Sequence, residues 1–171
     1  MASLPFPERI ASLPKAELHL HLEGSIRPTI AVTLAERHRV RISEDEVRQR
    51  YSYTNFAGFL DAFKWVTSFL QDPADFALVA ADLAEQLLAQ RVVYAEVTLS
   101  VGVMFLRKQI PEANFEAILK ATEPYEKRGL RFNWILTRCG SLGRMRRCAW
   151  WRWRSAAGRN GLWRSGLAAT K

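Results

Sequence analysis

Between Glu17 and Ser25 the chain reads Glu-Leu-His-Leu-His-Leu-Glu-Gly-Ser, ionisable and apolar residues in strict alternation. A period of two marks an extended strand with one polar and one apolar face. Glu17, His19, His21 and Glu23 are then expected on one face, with Leu18, Leu20 and Leu22 buried under helices on the other. At a rise of about 3.3 Å per residue, the two histidines stand roughly 6.6 Å apart at Cα, so their rings can converge on one ion. Two imidazoles are half a ligand set, and an isolated H-x-H pair is equally compatible with a solvated strand face.

Downstream, strand and helix signals alternate. Pro28 suits the first turn of a helix reaching about residue 37. A short charged helix over residues 42–51 takes Ser43 as its cap. Thr54 or Asn55 caps the next, in which Phe56, Phe59, Leu60, Phe63, Val66 and Leu70 recur at helical spacing. Asp72-Pro73 restarts a helix to about residue 90, and residues 92–100 form a mostly apolar strand of the kind covered on both sides in a parallel sheet. A helix from Pro111 to about residue 129 and a strand over 130–136 complete the series. This order gives βα units, and right-handed crossovers curl them into part of a barrel. Gly24-Ser25 closes the first strand where such a barrel carries its active-site loops.

The net charge of +8 belongs to one end of the chain. Residues 137–171 hold nine of the 25 Lys and Arg, none of the 17 Asp and Glu, both cysteines and four of the six tryptophans. The first 136 residues therefore carry 16 basic against 17 acidic side chains, a net charge of −1. An acidic partner for the whole protein does not follow from the overall charge. Cys139 and Cys148 are not spaced as a C-x-x-C pair, and no disulfide is expected. Residues 1–15 have no continuous apolar core, and no run approaches the roughly 20 apolar residues of a membrane span. The expectation is a cytoplasmic protein.

Residues 14–25, Pro-Lys-Ala-Glu-Leu-His-Leu-His-Leu-Glu-Gly-Ser, resemble the first strand of the adenosine deaminase family, a branch of the metal-dependent amidohydrolases. Gly58-Phe59-Leu60-Asp61-Ala62-Phe63 resembles the family's substrate-lid helix, and the segment from Val92 to Ser100 its second strand. The resemblance covers residues 13 to about 136 and implies an α/β fold: the N-terminal portion of a TIM (β/α)8 barrel, about three βα units, followed by an irregular tail. It implies that His19 and His21 are the first two ligands of one Zn2+, which lowers the pKa of bound water for attack on the amino-bearing carbon of a purine. Glu23 then sits where the family places an acid, often Asp, against the ribose; its longer side chain puts the sugar preference in doubt. Phe59, Leu60 and Phe63 match residues that cover the substrate, although core packing accounts for any one of them equally well.

Several residues have plainer readings. Glu17 reads as a strand-end hydrogen-bond partner and His38 as solvated; Glu96 could support the histidines from behind. After Glu96 the chain departs from the family's usual Arg and Ser-Pro, having Thr98, Ser100 and Val101. The family's later metal ligands and its proton-shuttling Glu, in an H-A-G-E motif, have no counterpart here, so the chain carries no catalytic residue of its own and is expected neither to hold zinc tightly nor to deaminate as written.

The tail has a specific explanation. Every Trp and Cys codon begins TG, so a one-base shift of frame turns positions 139, 148, 150, 151, 153 and 163 into Leu, Met or Val. With suitable wobble bases the tail regains acidic residues, reads as an amphipathic helix followed by an apolar strand, and ends in GIGGDE, which resembles the family's fourth-strand motif. Residues 1–136 are accordingly read as a partial barrel and 137–171 as out-of-frame sequence. The expected partner is a small purine nucleoside, with neither nucleic acid nor membrane, and the oligomeric state is open. Adenosine is the first substrate reading; adenine, an aminodeoxyfutalosine-type nucleoside or another amidohydrolase substrate is the alternative. A non-enzymatic alternative has the Arg- and Trp-rich tail binding nucleic acid or a membrane surface.

Overall fold

The computed structural model describes residues 6–137, so the tail reading lies outside the described residues apart from Thr137. The order is α1 (Phe6–Ser12), β1 (Lys15–His21), α2 (Pro28–Arg37), α3 (Glu44–Tyr51), α4 (Phe56–Thr67), α5 (Pro73–Ala89), β2 (Val92–Leu99), α6 (Val101–Leu106), α7 (Pro111–Glu126) and β3 (Arg131–Leu136). The strands lie in sequence order, β1-β2-β3, and both pairings are parallel. Parallel neighbours require crossovers, which α2 to α5 and then α6 and α7 supply. This is the α/β pattern expected of the first part of a barrel, with three strands and two complete crossovers among the described residues.

Local chemistry explains the helix boundaries. Ser43 Oγ accepts from the Glu46 amide at 3.2 Å while Glu46 returns a bond from the Ser43 amide at 2.6 Å, a reciprocal box that starts α3. The Asn55 side chain accepts from the Gly58 amide at 2.9 Å and settles the choice between Thr54 and Asn55. Asp72 caps α5 through the amides of Ala74 at 2.8 Å and Asp75 at 3.1 Å, with Pro73 opening the helix. Gly129, at φ +100°, turns the chain from α7 into β3 in a conformation that side-chain-bearing residues rarely adopt.

Two short helices were not expected. The α1 segment has too few turns to show a period. The α6 segment, Val-Gly-Val-Met-Phe-Leu, is apolar throughout and continues the run of β2, so no change of periodicity marks its start.

The core lies between the sheet and the helices. Leu22, Leu34, Leu70, Leu99, Ile118 and Leu130 are fully buried within it. Each such aliphatic side chain stabilises the fold by roughly 1.5–3 kcal/mol. Helices α5 and α7 pack side by side, and the Trp134 ring of β3 meets Phe115 of α7 edge-on at 5.9 Å. The opposite face of the sheet and the carboxyl ends of its strands are left for the site.

Candidate functional site

Strand β1 does not keep the alternation its sequence advertises. Glu17 pairs with Ala95, Leu20 with Val97 and His21 with Thr98. Three steps along β1 therefore match two along β2, and Leu18 and His19 together oppose Glu96. This is a β-bulge, and His19 takes it up at φ +62°. Ala95 and Thr98 point to opposite faces of β2, so their partners Glu17 and His21 fall on opposite faces of the sheet. The expectation of four ionisable groups on one face is corrected accordingly. Leu18, next to the bulge on an edge strand, is 60% exposed; Leu20 is half-buried, and only Leu22 is fully enclosed.

The two histidines lie together beside the slip. Their ring centroids lie 5.6 Å apart at 65°. Partial burial, with the neighbouring His19 charge adding to it, holds the His21 imidazole below its ordinary pKa. That favours the neutral form, which is the form that ligates metal. The pair suits two sites in the coordination shell of one divalent cation, and no carboxylate joins it at ligand spacing among the described residues.

A 3-10 turn, Leu22–Gly24, follows β1 and carries Glu23 inward. Glu23 is 5% exposed, so it forms no surface salt bridge. Its Oε1 accepts from the Ser100 amide at 2.7 Å, tying the carboxyl end of β1 to that of β2, while Oε2 is buried without a hydrogen-bond partner. Burial pushes the carboxyl pKa up, against the opposing pull of its backbone hydrogen bonds and of Arg107. An unpaired buried carboxylate oxygen is costly, and a ligand donor would relieve it.

His21 and Glu23 open onto a cavity of about 660 Å³. Its other walls are mostly apolar and include Tyr51, Tyr53, Phe59, Leu60, Phe63 and Val66. The three lid positions read from the sequence, Phe59, Leu60 and Phe63, all line it. The two tyrosines were missed, although the Tyr51-Ser52-Tyr53 run beside the lid helix was a visible signal. Tyr53 meets Phe59 edge-on at 5.3 Å, and Phe59 lies 6.0 Å from Phe63. The Tyr51 hydroxyl donates to the Ile26 carbonyl at 2.9 Å, and burial pushes its pKa up to about 12, so it remains a neutral strut. An apolar chamber with His21 and the buried Glu23 in its wall suits a flat heteroaromatic ligand.

Other candidates resolve differently. Glu96 accepts from the Tyr94 hydroxyl at 2.9 Å and from Asn133 Nδ2 at 3.3 Å, both on the sheet itself. His38 is not solvated: its Nε2 lies 2.8 Å from Asp75, whose side chain is completely buried. His38, Asp72 and Asp75 do bring ligand atoms within 4.8 Å of one another. However, Asp75 also accepts from Arg37 Nε at 2.7 Å and from the amides of Gln71 at 2.9 Å and Asp72 at 3.0 Å. With its lone pairs committed and a guanidinium alongside, this trio is a hydrogen-bond hub joining α2 to α5.

Comparison with known proteins agrees with this geometry. The chain is 34% identical over 136 residues to an adenine deaminase of Paraburkholderia phytofirmans, covering 77% of this chain and 39% of that protein. The chain thus spans about two fifths of this relative's length. The crystal structure of an adenine deaminase from Arthrobacter aurescens superposes with a TM-score of 0.66 at 28% identity, over 72% of this chain and 39% of that one. An amidohydrolase from Burkholderia ambifaria, solved with bound Zn, shares the fold at a TM-score of 0.74 and 21% identity, over 93% of this chain and 45% of its own. The family profile described as adenosine deaminase matches residues 14–141, which include the bulged strand, the lid helix and all three strands. The chain belongs to the adenosine deaminase family, a family of hydrolytic deaminases built on the amidohydrolase barrel.

Proposed function

We propose that the intact protein deaminates an aminopurine with the help of a divalent metal, and that this chain supplies the first two metal ligands and one wall of the purine pocket. The observation that carries the reading is the pairing of the His19 and His21 rings, with His21 and the buried Glu23 lining one largely apolar cavity. When bound, the cation would supply Lewis-acid activation of water. The other groups have passive roles. Phe59, Leu60 and Phe63 lay apolar surface against the purine and exclude solvent, and Glu23 accepts one N–H or O–H from the ligand. In the overall reaction water oxygen bonds to the amino-bearing carbon and the amino group leaves as ammonia. The groups that move protons come from parts of the barrel not represented here.

Adenine is the preferred substrate in this reading. Two of the relatives described above are adenine deaminases, and the expected preference for adenosine has no separate support. Zinc is the preferred metal, on the strength of the imidazole pair and the Zn in a protein of the same fold. The family profile ends at residue 141, and residues 137–171 contain no Asp or Glu, which supports reading most of the tail as out-of-frame. No described helix is long and apolar enough to cross a membrane, and the cavity suits a small molecule.

Sequencing the gene through the codons around Leu136, restoring the frame and assaying ammonia release test the whole reading. Adenine is expected to turn over in preference to adenosine, and removal of metal to abolish the reaction. An uninterrupted frame through the tail, or a repaired enzyme inert toward every aminopurine, would overturn it.

A further inference from the structure

Helix α4 is held at one end. Its first turns, where Phe56 and Ala57 lie, are exposed, whereas Ala62, Val66 and Thr67 toward its end are buried. Phe59, Leu60 and Phe63 line the cavity from the stretch between. The fixed end is gripped by the segment that follows β2. Arg107 donates through Nη1 to the Thr67 carbonyl and through Nη2 to Thr67 Oγ1 at 3.1 Å. Two residues on, Gln109 Nε2 donates to the Leu70 carbonyl at 2.6 Å and to the Gln71 carbonyl at 3.4 Å. Asn114, itself 1% exposed, approaches Gln109 Oε1 at 3.5 Å and orients that amide. The last carbonyls of a helix lack partners within it, so donors from outside decide where the helix end sits.

The same side chain borders a second, smaller cavity that shares Glu23 and Phe63 with the ligand cavity. That cavity, of about 20 Å³, has Arg107, Thr67, Ser100 and Glu23 among its walls, with Phe63 on the lid side. Arg107 is close enough to feel the Glu23 charge without forming a direct ion pair. One side chain thus touches the foot of the lid and shares a cavity wall with Glu23.

We infer that Arg107, supported by Gln109, is a positioning residue: it is the pivot that sets the depth of the α4 lid over the cavity and aligns the lid with Glu23. The ligand aspect rests on the aminopurine reading above; the pivot itself does not. Arg107 need not touch substrate. Its effect passes through Thr67 to the lid and through its charge to the carboxyl beside it.

Hydrogen exchange on the full 171-residue chain tests this. In Arg107→Met the amides of α4 are expected to exchange about tenfold faster or more, as loss of a charge-assisted bond predicts, while those of α5 and α7 keep their rates. Arg107→Lys, which retains the charge and one donor, is expected to recover part of the protection. Thr67→Val removes the hydroxyl, and with it both the bond accepted from Arg107 and the one donated to the Lys64 carbonyl, while leaving the core volume nearly unchanged; it is expected to loosen α4 by a smaller factor, and by less still in the Arg107→Lys background, so the inference stays testable if Arg107→Met does not fold. Unchanged α4 exchange in Arg107→Met, or in Thr67→Val where that is the variant measured, would overturn the pivot, as would equal loosening of α5 and α7. Adenine added to the unaltered chain is expected to slow α4 exchange, and to do so less in Arg107→Met. No slowing in the unaltered chain would count against the aminopurine reading, with the free-state rates still deciding the pivot.

Discussion

Asp75→Asn is expected to destabilise the chain by about 3 kcal/mol at neutral pH. Asp75 is completely buried and takes hydrogen bonds from Arg37, His38 and the amides of Gln71 and Asp72, all between 2.7 and 3.0 Å. Burial alone would raise its pKa, but the Arg37 bond and the two amides outweigh that and hold it below the usual carboxylate range. It is therefore an acceptor-only carboxylate at neutral pH, and His38 must present a proton at Nε2. Asparagine keeps one acceptor oxygen and turns an NH2 group toward donors. The two amides belong to the start of α5, where losing a cap costs about 0.5–2 kcal/mol. Arg37 is 39% exposed and can turn to water, so its share is discounted, leaving a further 1–2 kcal/mol or so for the charge-assisted bonds.

Urea unfolding measures the loss. With a slope of about 1.5 kcal/mol per molar, the midpoint should fall by roughly 2 M. The pH dependence carries the sign. A carboxyl whose folded pKa lies below its unfolded value, about 3.9, contributes fully above that value, and the contribution disappears as pH falls through the folded pKa. The gap between the two proteins should be constant from pH 7 to about pH 5 and close in stronger acid. An unchanged midpoint, or a gap that stays open in acid, would refute the hub. Zn2+ that stabilised the unaltered chain but not Asp75→Asn would instead return the trio to the list of metal sites.

Glu23→Gln is expected to stabilise the chain at pH 8 by on the order of 1 kcal/mol in urea, because the amide keeps an acceptor for Ser100 without burying a charge; a loss of stability would show that Glu23 Oε2 has a partner. Calorimetric titration with Zn2+ should give weak binding that His21→Ala removes, since two imidazoles do not complete a shell; tight binding surviving His19→Ala and His21→Ala together would place the metal elsewhere. Ile118→Ala, at a fully enclosed position on α7, should lower stability by about 2–5 kcal/mol in the same urea assay, and a smaller effect would mean that the helix does not pack on the sheet as described.

What could be read in advance depended on whether it was local. Ser43, Asn55 and Asp72 announce helix starts through bonds to their own neighbours, and all three caps form. The helical spacing of Phe59, Leu60 and Phe63 on α4 was legible for the same reason, since a helix face is determined within two turns, and all three line the cavity. The bulge at Leu18 and His19 depends instead on how β1 is paired with a strand some 75 residues later. No pattern inside Glu17–Ser25 distinguishes a regular strand from one that slips by a residue, and the slip exchanges the face of everything before it. Glu23 shows the same division: its position after the histidine pair was legible, but its burial follows from the Ser100 amide at the end of another strand.

That division bears on why the site has the form it does. A regular strand would have placed Glu17 on the same face as His21; the bulge moves it to the other face, while the two imidazoles lie together and His21 lines the chamber. His19 takes up the slip at φ +62°, backbone strain of the kind that surrounding structure must hold in place. Leu22, fully buried directly after the pair, and the Glu23–Ser100 bond anchor the strand end on its far side. With the end anchored, the slip is confined to Leu18 and His19, so the conformation of the strand that carries both histidines is imposed by the residues that follow it.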